Sequence, residues 1–544
     1  MWQPITAPIL QRIADGETIT VEELITTAAA EGLTHAATQD AVPGEDSARH
    51  TGCVAEPHDL VGCRYRLVQK LTYPHVPSTP TSAGRAERHA AQVATITATL
   101  PTRPSIGDNK NFSRITCTNE FDTLEALAAG HTLIENAQVT AGPLCATIDL
   151  LARQADGTYL PIIYSTHRVA RPSHHHTTPM IATSRLGLGS IVEAPYKLRH
   201  HAADGYRLAI GAHFLNHVGL AATDHHTPIG GAIGQDTDRC FIVDTTALSE
   251  ALERALNQPV ATGPRRTKEC RTCRFSPDCE QQLTRTDDIS LYLPGDTANR
   301  FREAGITTVQ GLIDSSFFPD NKLADAWRNN IPLLIAPNTT PTIDRFDIEI
   351  DIDMEAFLDH GAYLWGGFDG TTYTPFATFT ELGGEEEANN FTRFWHWLKN
   401  HREHAEETGR SIGIYCYSNH GENHWLTTSA RRFNGHITPD GLACPTPLEI
   451  REFISSPTWI DVFKHVRQHL VSPYGLGLKD VAPHAGFTFH ETELAGEGSV
   501  DAFLTARQDP HLAGRILTYN EEDCRATRAV REWLAAGAPG IPQL

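Results

Sequence analysis

The stretch Phe346-Asp347-Ile348-Glu349-Ile350-Asp351-Ile352-Asp353 alternates strictly between apolar and acidic residues. Because successive side chains of a β-strand point to opposite faces, this alternation predicts a strand with one buried face. Strand-like segments at 362–368 and 412–417 and helix-like segments at 386–401, 458–470 and 519–533 follow it. The sequence therefore predicts an α/β domain over residues 343–538.

Acidic residues cluster after this strand and on the last predicted helix. Asp353 and Glu355 are two residues apart, so both point to the same side of the strand. Tyr519 and Asp523 are four residues apart, so they are neighbours on one helical face. Glu422 comes just after a later strand, where a helix begins. Clustered carboxylates repel one another unless cations lie among them, and such hard oxygen ligands suit Mg²⁺ or Mn²⁺.

This pattern fits phosphodiester chemistry. Two divalent ions about 4 Å apart would stabilise the attacking and leaving oxygens during hydrolysis. Tyr519 is placed to orient the attacking water. The residues therefore predict a metal-dependent nuclease.

The arrangement resembles the ribonuclease-H-like exonucleases named for four acidic residues, in the DEDDy subclass with a Tyr four residues before the last Asp. The intermediate segments Trp459-Ile460-Asp461-Val462 and Gly477-Leu478-Lys479-Asp480-Val481-Ala482 extend the resemblance. It implies an RNase-H-like mixed sheet with flanking helices and 3′→5′ polarity.

The resemblance also implies roles for single residues. Asp353, Glu355 and Asp523 would be metal ligands, Glu422 the middle acid and Tyr519 the water-positioning residue. The middle acid is usually Asp in this family, and here it is Glu. Asp461 is expected to cap a helix instead of holding metal.

The eleven cysteines do not form the regular spacing of a disulfide framework, but three are closely grouped. Cys270, Cys273 and Cys279 give C-x2-C-x5-C, which predicts a soft metal site, with Cys63 as fourth ligand and Cys53 as its rival. One early cysteine followed by this late group resembles the iron–sulfur staple of RecB-like nucleases. The resemblance implies a [4Fe–4S] cluster, and zinc is the alternative.

If the staple is present, the enclosed domain should carry the PD-(D/E)xK nuclease motif. Asp149 supplies the first acid, but Ile163-Tyr164-Ser165 occupies the place of Glu-x-Lys. No lysine lies between Lys110 and Lys197, so the residue that polarises the attacking water is missing. Glu87 and His89, on an upstream helix, are candidates to join Asp149 at a second metal site. We expect this domain to be degenerate.

At roughly 150 residues per domain, 544 residues predict two to four folded units. Residues 1–50 are assigned to an N-terminal extension and 51–283 to a RecB-like PD-(D/E)xK domain with its cysteine staple. Residues 284–320 resemble a helix-hairpin-helix, whose backbone amides can hold a phosphate, and 321–342 are assigned to a linker. The expected class is multi-domain α/β.

The net charge of the chain limits the kinds of binding partner that we expect. Asp and Glu number 66 against 45 Lys and Arg, a net charge of −21, which excludes a globally basic nucleic-acid coat. Contact with DNA or RNA must then be local or mediated by metal. No apolar stretch spans a bilayer, so we expect a soluble cytoplasmic protein without a membrane partner.

The main hypothesis is a two-metal exonuclease in the C-terminal domain. One alternative is a non-catalytic nucleic-acid-binding or adaptor protein in which both nuclease domains are degenerate. Another is an active RecB-like nuclease in the N-terminal domain.

Overall fold

The computed structural model describes residues 4–33, 53–102, 112–142, 144–173, 175–357, 360–491 and 497–544. The chain divides into two compact units, Met1–Val309 and Gln310–Leu544. Each unit combines sheets with helices, which confirms the expected multi-domain α/β class.

The first unit is built on one large sheet. Its strands are β1 (Arg114–Thr116), β2 (Leu133–Ala141), β3 (Leu144–Arg153), β4 (Tyr159–Tyr164), β5 (Ala170–Pro172), β6 (Thr178–Ala182), β7 (Val192–Ala194), β8 (Tyr196–Leu198), β9 (Thr223–Asp224), β10 (Thr227–Ile233) and β11 (Arg239–Asp244). Nine of the strands in the described residues form a sheet in the order β1-β2-β3-β4-β10-β11-β6-β7, with β9 beside β10. Strands β5 and β8 pair separately.

The first unit also contains α-helices. They are α1 (Pro8–Ala14), α2 (Val21–Ala30), α3 (Tyr65–Thr72), α4 (Pro80–Thr99), α5 (Glu120–Ala129), α6 (Ala202–His217), α7 (Thr246–Leu256), α8 (Ser276–Arg285) and α9 (Asn299–Glu303). Residues on α6 pack against the apolar side chains of β2 and β3 to form the main core of the unit.

The N-terminal residues that the structure describes pack on the first unit. Ile9 and Leu24, on α1 and α2, are fully buried in the main core of the first unit. The Val21 amide also donates to the Gln258 carbonyl at 2.9 Å. Residues 4–33, from the segment assigned to an N-terminal extension, therefore contribute their apolar face to this core. Residues 34–52 lie outside the described residues.

The segments predicted as helix-hairpin-helix and linker contain short helices. Helix α9 and the next helix, α10 (Val309–Ile313), have five residues each. Helix α11 (Asp320–Arg328) and strand β12 (Leu334–Ile335) occupy much of 321–342. This part of the chain is therefore folded, because β12 pairs with a later strand and buries its two residues.

The second unit contains a five-stranded mixed sheet. After β12, the strands of this unit are β13 (Ile348–Phe357), β14 (Gly361–Phe368), β15 (Tyr373–Ala377), β16 (Ile412–Cys416), β17 (Trp459–Asp461) and β18 (Leu470–Val471). Its later helices are α12 (Glu385–Thr408), α13 (His420–Arg432), α14 (Pro447–Ile454), α15 (Val462–His469), α16 (Leu478–Val481), α17 (Glu497–Ala506) and α18 (Pro510–Ala535). The sheet order is β15-β14-β13-β16-β17. Strand β13 is antiparallel to β14 and parallel to β16.

The alternating stretch forms the central strand, as its pattern predicts. Ile350 and Ile352 of β13 are fully buried in a core with Phe391 and Phe394 of α12. The segment predicted as one helix over 458–470 begins instead as β17, because its first residues pair with β16.

Candidate active site

Strand β13 presents two candidate ligands on one side. Asp353 and Glu355 are alternate residues of the strand, and both are half-buried. Asp353 lies opposite Gly366 of the neighbouring strand β14. The central position of β13 fixes the backbone of both acids through strand pairing, so their carboxyl groups share one side of the sheet.

Helix α18 brings the third candidate ligand to this strand. One carboxylate oxygen from each of Asp353, Glu355 and Asp523 lies within 4.8 Å of the other two. Tyr519 lies one helical turn before Asp523 on α18, and its phenol is close enough to the Asp523 carboxylate for each group to shift the pKa of the other. Among the described residues, Asp523 Oδ1 is one of the buried side-chain atoms without a hydrogen-bond partner. The structure thus brings together four of the five residues that the sequence predicted.

Electrostatics shows that the three acids need a counter-charge. Burial, followed by repulsion from Asp523, raises the pKa of Glu355 to about 8. Burial and nearby Glu522 raise the pKa of Asp523 to about 6, against the lowering effect of Lys479 and Tyr519. The pKa of Asp353 also lies well above its ordinary value, because of burial and the neighbouring carboxylates. Three oxygen ligands with one unsatisfied atom therefore fit a hard divalent cation.

Glu422 lies in the first turn of α13 and is buried. Burial and the charge of Asp461 raise its pKa to about 8. Its charge acts on Asp353 and Glu355, but its carboxylate is not part of the three-acid group within 4.8 Å. Asp461 accepts a hydrogen bond from the Lys464 amide at the start of α15, which confirms its expected role as a helix cap.

Lys479 faces the acids from the short helix α16. Its Nζ lies 3.9 Å from the centroid of the Tyr519 ring, and its charge lowers the pKa of both Glu355 and Asp523. Nζ is buried and has no hydrogen-bond partner among the described residues. The sequence reasoning assigned Lys479 no role, although it lies in the segment Gly477-Leu478-Lys479-Asp480 that carried part of the resemblance.

A buried ion network joins α18 to β13 below the acids. Arg531 is fully buried, and its Nε and Nη2 donate to the two carboxylate oxygens of Asp351 at 2.7 and 2.8 Å. Its Nη1 donates to Glu349 at 2.6 Å. The guanidinium also lies 4.4 Å from the centroid of the Tyr415 ring. This network holds the helix and the strand together two residues before Asp353.

The residues 346–535 match the family model of the RNase H superfamily. The matched span runs from two residues before β13 to the last residue of α18. This part of the chain is therefore an RNase H-like domain, and all five predicted site residues lie inside it. Searches of the curated proteins and of the solved structures found no match.

The first unit holds Asp149 in a different environment. Its Oδ2 accepts hydrogen bonds from Arg207 Nη2 at 2.8 Å and from the Tyr164 amide at 2.6 Å. Within the described residues, Glu87 and His89 do not join Asp149 in a group of metal-ligating atoms. Arg207, on α6, therefore pairs with Asp149 at the position where the predicted second site would need a metal ion.

Four cysteines surround one pocket of the first unit. Cys63, Cys270, Cys273 and Cys279 all line this pocket, together with Gln69 and Phe275. Gln69 Nε2 donates to Cys279 Sγ at 3.5 Å, and the Thr267 amide donates to Cys270 Sγ at 3.3 Å. Burial raises the pKa of Cys279 to about 11.

Cys53, the rival fourth ligand, is elsewhere. It forms a disulfide with Cys145 of β3. Its assignment as a rival ligand is therefore wrong, because its sulfur is already bonded.

No helix within the described part of the chain combines the length and apolar character needed to cross a membrane.

Proposed function

We propose that the RNase H-like domain hydrolyses the phosphodiester bonds of DNA or RNA as a metal-dependent 3′→5′ exonuclease. The observation that carries this proposal is the group of Asp353, Glu355 and Asp523 within 4.8 Å, with Tyr519 one helical turn before Asp523. The 3′→5′ polarity comes from the resemblance to DEDDy exonucleases. Residues 343–538 are the proposed limits of this domain.

The side chains of this site have different proposed roles. Asp353, Glu355 and Asp523 would hold Mg²⁺ or Mn²⁺, and the bound ions would stabilise the attacking and leaving oxygens. Burial and the adjacent acids raise the pKa of Tyr519, so its phenol keeps a proton and can orient a water by hydrogen bonding. Glu422 adds negative charge beside the same site. The Lys479 ammonium is available for a phosphate oxygen of the nucleic acid.

Cleavage of labelled single-stranded and double-stranded DNA and RNA, with Mn²⁺ or Mg²⁺, tests the proposal. We expect Asp353→Asn and Asp523→Asn to abolish cleavage of at least one of these substrates. Asp440→Asn is a matched control, because Asp440 is exposed and pairs with Arg393. Full activity in both site variants would overturn the proposal.

We propose further that residues 51–283 form a RecB-like unit that does not cut. The contact that supports this is the 2.8 Å pair between Arg207 and Asp149, which leaves little room for a metal ion at that carboxylate. Asp149→Asn should therefore leave cleavage unchanged. Loss of cleavage in Asp149→Asn, with Asp353→Asn still active, would move the catalytic site to this unit.

For the four cysteines we propose a [4Fe–4S] cluster. Two observations support it: the four cysteines line one pocket, and C-x2-C-x5-C with one early cysteine resembles the iron–sulfur staple of RecB-like nucleases. Iron content and visible absorbance after anaerobic purification test this. A colourless protein with stoichiometric zinc would overturn it.

A further inference from the structure

Asn520 links the candidate site to β15, the strand at one edge of the sheet. It is fully buried on α18, three residues before Asp523. Its Nδ2 donates to Asp353 Oδ2 at 2.7 Å, and its Oδ1 accepts from the Tyr373 hydroxyl at 2.8 Å. The amide therefore bridges a candidate metal ligand and a phenol on β15.

The chemistry of the two neighbours fixes the orientation of this amide. With a cation bound, Asp353 is an ionised carboxylate that only accepts hydrogen bonds, so the NH₂ group must face it. The carbonyl of Asn520 then faces Tyr373, which must donate. Burial raises the pKa of Tyr373, so its hydroxyl keeps the proton that it donates. Tyr373 thus holds Asn520 in the orientation that supplies a donor to Asp353.

The sheet leaves room for this bridge at Gly366. A Cβ at Gly366 would collide with Asn520 Oδ1 and would lie 2.9 Å from Tyr373 Cε2. Gly366 is also the residue paired with Asp353 across β13 and β14. The missing side chain at this position is therefore what allows the amide to reach the acid.

We propose that Asn520 is a positioning residue that holds one oxygen of Asp353, so that the other oxygen faces the divalent cation. This inference rests on the proposed function. Hydrogen bonds that orient a metal ligand are commonly worth 10–100-fold in metal affinity or activity. Asn520 touches neither the cation nor the substrate in this role, and it acts through Asp353.

Calorimetric titration of the full chain with Mn²⁺ tests the inference, together with the Mn²⁺ concentration that gives half-maximal cleavage. We expect Asn520→Ala to weaken Mn²⁺ binding and to raise the half-saturating concentration about 10–100-fold. Cleavage should recover substantially at saturating Mn²⁺, which a general packing defect would not allow. Asn389→Ala is the matched control, since Asn389 bonds His436 at 2.8 Å and should leave both values unchanged.

Tyr373→Phe provides the milder test, because it keeps the ring and removes only the hydroxyl. We expect a shift in the same direction as for Asn520→Ala, but a smaller one. Unchanged Mn²⁺ affinity in folded Asn520→Ala overturns the inference, and if that variant does not fold, unchanged affinity in Tyr373→Phe overturns it. A wild-type chain that binds Mn²⁺ and cleaves leaves the proposed function intact in either case. A wild-type chain that does neither overturns both.

Discussion

Three carboxyl groups within 4.8 Å need protons or a cation to be stable together. A carboxyl group whose pKa rises on folding stabilises the folded state below its unfolded pKa. That contribution is lost as the pH increases through the folded pKa. The folded values are about 6 for Asp523 and about 8 for Glu355. The metal-free domain should therefore lose stability from about pH 4.5 to pH 8.

We predict that Glu355→Gln raises the melting temperature of the metal-free protein at pH 8, while it abolishes cleavage. The substitution removes one of the repelling charges, and we expect a gain on the order of 2 kcal/mol. Thermal unfolding in EDTA at pH 5.5, 7 and 8 measures this. Glu406→Gln, on the exposed face of α12, is the control. Equal melting curves for Glu355→Gln and wild type at pH 8 would contradict the prediction.

Lys479 should act on the nucleic acid and not on the metal. We predict that Lys479→Met, which keeps an apolar chain over the Tyr519 ring, reduces kcat/KM about tenfold, the loss of about 1.4 kcal/mol. Mn²⁺ affinity should be unchanged or higher, because a repelling positive charge is removed. Kinetics and Mn²⁺ titration separate the two effects, and Lys479→Arg serves as the charge-preserving comparison. A parallel loss of Mn²⁺ affinity would contradict this role.

The sequence alone predicts some residues of the candidate site but not others. Strand alternation placed Asp353 and Glu355 on one side, and helical spacing placed Tyr519 beside Asp523. Asn520 and Lys479 were missed, because their contacts join residues far apart in the sequence. The Asn520 bond to Asp353 spans 167 residues, and no local pattern carries such a contact.

Among the secondary-structure elements, the local sequence pattern predicted the central strand β13 but only part of the helices. The central strand was predicted from its alternation alone. Helix α18 begins at Pro510, before the predicted start at 519, because Leu512 and Ile516 pack against a cluster with Phe503. Strand β17 was hidden inside a predicted helix, because its pairing with β16 depends on residues more than 40 positions earlier.

The contact between α18 and β13 gives a prediction at this scale. Arg531→Met leaves the Asp351 carboxylate buried without its partner, so we expect a loss of about 3–5 kcal/mol in the free energy of unfolding. The double variant Arg531→Met with Asp351→Leu should recover much of this loss, because the buried Asp351 charge is gone and Glu349 keeps its pair with Arg345. Urea unfolding followed by tryptophan fluorescence measures both. A double variant less stable than the single one would contradict this account.

For the whole molecule, the charge of −21 first argued against a nucleic-acid partner. Part of that negative charge is now placed at one group of acids that suits cations. The sequence also predicted the separation into an N-terminal and a C-terminal α/β part. It did not predict that α1 and α2 complete the core of the first unit, because two short helices carry no local signal of the sheet on which they pack.

The cysteine pocket gives the prediction for the first unit. We expect the anaerobically purified chain to bind about four iron atoms, and Cys270→Ser to lose most of them. The thermal unfolding transition of this unit should move to lower temperature in the variant, because the pocket joins Gln69 and Cys279, which are 210 residues apart. Cys117→Ala, a buried thiol outside the pocket, is the control. Undiminished iron in Cys270→Ser would contradict the cluster assignment.

The Arg531 network has a mechanical consequence. Helix α18 is held to the sheet on both sides of Asp523, by Asn520 to Asp353 and by Arg531 to Asp351. Between these two attachments, Asp523 is repelled by the acids of β13. We therefore expect the two attachments to keep Asp523 beside Asp353 and Glu355 against that repulsion, so that the ligand set is assembled before a divalent cation enters.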